Sequence, residues 1–157
     1  MKRIIAVLVG AILLTSAVSL AQTPAEPAAP PVFTLEAGPG DSPELTAQKA
    51  ALRLFKAFNV AREQLLLCRA QNNPGADPAL RDFVSRNGNT LVTLMSVIKK
   101  FGGLTPEIKA ALDRSIKEAQ ANGPDCAKLI ARVAGGGFDL YKAPEYAADY
   151  QLIQPYK

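Results

Sequence analysis

Residues 42–71 read SPELTAQKAALRLFKAFNVAREQLLLCRAQ, and this stretch decides the fold class. Ser42 offers a side-chain oxygen to the first free backbone N–H groups, Pro43 is pre-set for the first helical position, and Glu44 faces the positive end of the helix dipole. Leu54, Phe58, Ala61, Leu65 and Cys68 then recur at alternating steps of four and three, the spacing of one helical face. The spacing predicts one long amphipathic helix ending near Gln71, because Asn72-Asn73-Pro74-Gly75 breaks it.

The same grammar repeats downstream. Asp77-Pro78 is a second start signal, followed by the stripe Leu80, Val84, Asn87, Leu91, Leu94, Ile98 and Phe101. Asn87-Gly88-Asn89 favours a turn, but the unbroken stripe predicts a single helix with one Asn in an apolar file. Gly102-Gly103 closes it. Thr105-Pro106-Glu107 opens a third helix with Ile108, Leu112, Ile116 and Ala119 inward. Asn122-Gly123 ends that one, and Pro124 is expected to open a short fourth, with Cys126, Leu129, Ile130 and Val133 inward. Four amphipathic helices on short connections predict an all-α fold, a small four-helix bundle spanning residues 44–134.

Outward from the bundle, residues 22–43 hold six of the chain's twelve prolines. Proline removes backbone donors, so this segment is expected to be an extended spacer, with a reach of about 60 Å at roughly 3.1 Å per residue. Within it Val32 to Leu35 is a strand-like apolar patch, more suited to stapling onto its own domain than to holding a partner. Upstream, residues 1–21 read MKRIIAVLVGAILLTSAVSLA. Two cations, an apolar run and small residues at Ser19 and Ala21 match a secretory signal peptide cleaved after Ala21. The run approaches the roughly 20 residues that span a bilayer, so a retained anchor is the competing reading. Thr15, Ser16 and Ser19 favour cleavage, which leaves no transmembrane span in the mature chain. The short, weakly charged leader is of the bacterial kind, and the expected location is periplasmic or secreted.

Cysteine usage fits export. Cys68 and Cys126 are the two cysteines, and an even count in an exported chain predicts a disulfide between them. Closing so long a loop stabilises the fold by about 4 kcal/mol in the chain-entropy view. Neither lies in a CxxC or CxxCH pattern, so redox exchange and haem attachment find no support.

Residues 135–157 begin with Gly135-Gly136-Gly137, expected to act as a hinge, and hold all four tyrosines, Tyr141, Tyr146, Tyr150 and Tyr156. A short helix after Pro144 would put Tyr146 and Tyr150 on one side. Tyrosine supplies stiff contact area with a polar tip, so the four are the candidate partner-binding residues; the apolar Leu152 and Ile153 among them tilt the balance toward docking of the tail on its own bundle.

The chemistry available is restricted. There is no His, which removes the commonest neutral-pH proton carrier and zinc ligand. Glu145 and Asp149, four apart, fall far short of a calcium site and read as solvated surface. Ser96-Val97-Ile98-Lys99 resembles the SxxK motif of penicillin-binding proteins and class A β-lactamases, and Ser85-Arg86-Asn87 their SxN element. The order is reversed, no KTG triplet follows, and the chain is too short for that fold. Lys99 and Lys100 therefore read as cations at a helix C-terminus, and no enzyme, metal or cofactor is expected.

The net charge of +4 is modest for a nucleic-acid binder. It is concentrated in residues 44–134, where fourteen basic face eight acidic side chains. These properties predict an exported, non-catalytic helical interaction module of the cell envelope that binds an envelope protein or an anionic envelope surface. The other reading is a carrier or chaperone holding an apolar ligand or unfolded client between its helices.

Overall fold

The computed structural model describes residues 33–157. The expected leader, residues 1–21, and the expected spacer as far as residue 32 lie outside the described residues. Those described form five α-helices and no strand: α1 (Pro43–Ala70), α2 (Ala76–Lys100), α3 (Pro106–Ala121), α4 (Cys126–Ala134) and α5 (Pro144–Ile153), followed by a 3-10 turn at Gln154–Tyr156. None of these helices is long and apolar enough to cross a membrane.

The local signals act largely as expected. Ser42 Oγ accepts from Leu45 N–H at 3.2 Å and Thr105 Oγ1 from Ile108 N–H at 3.4 Å, so both side chains cap their helices. Two starts differ. In α2 the cap is Gly75, at φ 84°, and Asp77 lies inside the first turn; a left-handed glycine lets the chain reverse without a side-chain cap. In α4 the cap is Asp125, whose Oδ1 accepts from Lys128 N–H at 3.2 Å, and Pro124 stands outside the helix. Asn87-Gly88-Asn89 does not interrupt α2.

The bundle is organised around α1. Helices α2, α3 and α5 pack along it, and α4 bridges α2 and α1. Phe58 of α1 stacks on Phe83 of α2 with ring centroids 5.0 Å apart, and Phe138 meets Phe83 edge-on at 6.3 Å. The predicted disulfide is present: Cys68 in the last turn of α1 is bonded to Cys126, the first residue of α4.

Three expectations are corrected. First, residues 33–41 are not free spacer. Phe33 and Leu35 pack against the core without forming a strand. Buried Lys49 donates to Glu36 O at 3.0 Å and to Asp41 Oδ2 at 2.8 Å, and Arg53 Nη1 donates to Leu35 O at 2.6 Å. The Gly38 N–H and then Lys49 hold the Asp41 carboxyl below its usual range.

Second, the triglycine is a fixed cap rather than a hinge. Gly137 N–H reaches Arg132 O at 2.9 Å and Gly136 N–H reaches Val133 O at 3.0 Å, with Gly136 at φ 76°. This is a Schellman turn, which satisfies the last carbonyls of α4. Third, Asp149 is not a solvated bystander, whereas Glu145 is exposed as expected. Arg53 grips Asp149 through two nitrogens, Nε lying 2.9 Å from Oδ2, while Glu145 pairs with Arg132.

Asn87 shows why a polar residue sits in an apolar file. It is fully buried, and its Nδ2 donates to Phe83 O and Phe138 O, each at 3.0 Å, while its Oδ1 accepts from Leu140 N–H at 2.9 Å. The side chain thus splices the tail backbone onto α2. Asn87→Ala should cost about 1–3 kcal/mol, because it strands a buried donor and acceptor. In hydrogen exchange the Leu140 amide should lose its protection ahead of the α1 amides.

Candidate functional site

The tail tyrosines do not form one surface. Tyr146 is half-buried and packed on the core. Burial first, and then the Glu145 carboxylate, pushes its phenol above the ordinary tyrosine value. Tyr156 meets Phe101 edge-on at 5.1 Å, with Lys100 Nζ near both rings. These two complete the fold. Tyr141 is exposed, and half-buried Tyr150 accepts a hydrogen bond from Lys157 Nζ at 3.2 Å. Tyr141 and Tyr150 meet α2 at a polar cleft of about 460 Å³, which Asn89, Thr93 and Arg86 also line.

The Arg86 charge in that cleft is already committed. Its Nε lies 3.0 Å from Asp139 Oδ1, its Nη1 3.1 Å from Asp82 Oδ2, and its Nη2 donates to Val133 O. Asp139 is 1% exposed and needs that compensation, together with Lys142 Nζ at 3.1 Å from Oδ2. Both contacts to Asp139 are ion pairs outside hydrogen-bond alignment. Arg86 therefore neutralises a buried acid, and Lys157 is the remaining cation of the cleft.

A second depression, which the sequence reading did not find, lies between α2 and α3. It has a volume of about 610 Å³, with Met95, Ile98 and Leu104 forming its apolar wall and Lys99 and Lys109 its cations. It exists because α3 rests on α1 and buries only Ile108 and Leu112, leaving its edge parted from the end of α2. On α2 the exposed residues Val92 and Met95 lie outside the core stripe, three apart on one face with Lys99. That was the legible signal: two apolar side chains that the bundle does not bury.

Ser96 and Lys99 both line this groove. Both are exposed, and no hydrogen bond joins them. The geometry brings the two residues of the SxxK resemblance to one surface without coupling hydroxyl to amine.

Charge pairing is uneven across the molecule. Lys49, Arg53, Arg62, Arg69, Arg86, Lys128, Arg132 and Lys142 all enter ion pairs. Among the described residues Lys56, Arg81 and Lys157 enter none, and neither do Lys99, Lys100, Lys109, Arg114 and Lys117, which fall together at the end of α2 and along α3. Glu107, two residues before Lys109, is turned to the Thr105 hydroxyl and the start of its own helix, which hold it below its usual range. No group of three or more Cys, Asp and Glu side chains among the described residues is arranged to hold a metal ion.

No protein family, curated protein or solved structure matches the chain.

The burial of Tyr146 has a measurable sign. Its folded-state value is raised, so an unfolded chain releases the phenolic proton first as pH climbs past about 10. The stability it carries is complete below that pH and is lost as pH rises toward the folded-state value. In an alkaline titration followed by tyrosinate absorbance, Tyr146→Phe should delete a late component and lessen the alkaline loss of stability.

Proposed function

We propose that the protein is an exported, non-catalytic helical binding module of a bacterial cell envelope, and that it engages an anionic partner through the end of the bundle where α2 meets α3. The observation that carries this reading is the unpaired state of Lys99, Lys100 and Lys109 beside exposed apolar side chains. Lys99 and Lys100 are favourable at the C-terminus of α2, where the helix dipole is negative. Lys109 has no such reason. It sits four residues into α3, toward the positive end of that helix, where a cation gains nothing from the dipole.

Export is supported by the leader-like residues 1–21 and by the disulfide, since such bonds persist in oxidising compartments. The non-catalytic reading rests on the lack of His and on Ser96 having no base bonded to it. Tyr146 and Tyr156 belong to the core, so the recognition surface is placed on the lysine end, with Tyr141 and Tyr150 at a separate polar cleft. A carrier role is the second reading, and the apolar wall of the same groove favours it.

The test is co-sedimentation of the mature protein with vesicles of phosphatidylglycerol or of phosphatidylcholine. Binding should be confined to the anionic vesicles and fall with added salt. Each of Lys99→Gln and Lys109→Gln should weaken it about fivefold, as expected for roughly 1 kcal/mol per cation at an anionic surface. Equal binding to both vesicle types, or none to either, overturns the reading.

A further inference from the structure

The groove between α2 and α3 pairs two features that a flat anionic surface does not require together: a pair of unpaired ammonium groups and a recessed apolar wall. Ile98 is 1% exposed and fixed in the core, Leu104 is half-buried, and Met95 stands 39% exposed at the rim. Methionine is the side chain best able to reshape around an apolar guest. Beyond it Val92 is 71% exposed on the same face of α2, which extends the apolar track away from Lys99 along the helix.

We propose that this groove binds one molecule of a single-chain anionic amphiphile, with the hydrocarbon chain along Ile98, Leu104 and Met95 and the acidic head held by Lys99 and Lys109. The assignment rests on the reading of an anionic partner at this end and names its chemical class. Three properties select it. The depression, of about 610 Å³ and open to solvent along one side, has room for one hydrocarbon chain lying against its wall and is modest for the two chains of a phospholipid. The polar groups lining the groove are the two ammonium groups, the Ser96 hydroxyl and the backbone of the Gly103 turn. An acidic peptide or glycan, with many donors and acceptors to satisfy, finds too few partners there. Lys99 and Lys109 stand beside the apolar side chains of Met95 and Leu104 in one groove, the pairing of charge with hydrocarbon that a fatty-acid-like molecule requires. Burial of its chain is favourable by about 25 cal/mol per Å² of apolar surface removed from water.

Gly103 contributes by its backbone. It lies at φ 74° after Gly102 at φ 108°, a path that turns the chain sharply from α2 toward α3. A Cβ at Gly103 would meet nothing within 4 Å, so the turn leaves the space beside Leu104 open.

The experiment measures binding of palmitate and of hexadecanol, which shares its chain but lacks the charge, to the mature protein by calorimetry below micelle-forming concentrations. Palmitate should bind with a stoichiometry of one and roughly tenfold more tightly than the alcohol. Lys99→Gln with Lys109→Gln should bring palmitate down to the affinity of hexadecanol. Met95→Trp, at an exposed position that leaves the core alone, should block palmitate while sparing attachment to phosphatidylglycerol vesicles. Equal affinity for acid and alcohol, or palmitate binding unmoved by these variants, overturns the inference. Vesicle attachment without palmitate binding sinks this inference and leaves the anionic-partner reading intact; loss of both sinks both.

Discussion

A helix enclosed on every side has no solvent face for its polar residues, and α1 meets that condition over its first half. Ala47, Gln48, Lys49, Ala50, Ala51, Leu52 and Leu54 are all buried. A buried ammonium is tolerated only where it is paired and hydrogen-bonded. Lys49 finds the Asp41 carboxylate and the Glu36 carbonyl, and Arg53 finds Asp149 and the Leu35 carbonyl. Asp149 also holds the Arg53 charge more firmly than in water. Both chain segments that flank the bundle are thus drawn in by the polar residues of its central helix. Without residues 33–41 and α5, two cations would face low dielectric alone.

A second joint acts through the tail backbone. Asn87 supplies both a donor and an acceptor to residues 138–140, and Arg86, on the next residue of the same helix, compensates the buried Asp139 between them. The connections are set as firmly as the contacts. Helices α1 and α4 end in Schellman turns, through Asn73 N–H to Cys68 O and Gly137 N–H to Arg132 O, and α2 ends with the single longer bond from Gly103 N–H to Ile98 O. Orphan carbonyls at three helix ends are therefore satisfied internally, and the glycines serve as caps with defined direction.

These joints also mark how far the sequence could be read. Helix bounds were legible because capping and periodicity are local: Ser42, Thr105 and the stripe from Leu54 to Cys68 report on their neighbours within one or two turns. The disulfide was legible because two cysteines allow one pairing. What failed were the polar pairings between groups distant in the chain. Asn87 betrayed itself as an anomaly in its stripe, yet its partners are backbone groups, which carry no sequence signature. Asp139 looked like any acid in a polar tail, though it is buried against Arg86. The prolines before Asp41 suggested a free spacer; the apolar patch at Phe33 and Leu35 marked its docking, while the bonds from Lys49 and Arg53 that hold the segment carried no local signal. The tyrosines were read as one set on composition, whereas packing divides them between core and cleft.

The same pairing criterion distinguishes charges that build the fold from charges left over. Where α1, α2 and α5 meet, Lys49, Arg53 and Arg86 each have a carboxylate: Asp41 and Asp149 from the flanking segments serve the first two, and Asp82 and Asp139 serve Arg86. Helix α3 has no flanking segment against it and rests on α1 through two buried residues. Its three cations are balanced by Glu107, Asp113 and Glu118, so the unbalanced charge at this end is the pair Lys99 and Lys100 of α2, with Lys109 lining the same groove as Lys99. Such a cluster is neutral or slightly unfavourable for folding. Beside it the chain also leaves Val92 and Met95 uncovered, which folding alone would favour burying. Two departures from folding optimality at one place, one electrostatic and one apolar, are both relieved by a single occupant that brings negative charge and hydrocarbon together, which is why the groove rather than the tyrosine cleft carries the functional argument.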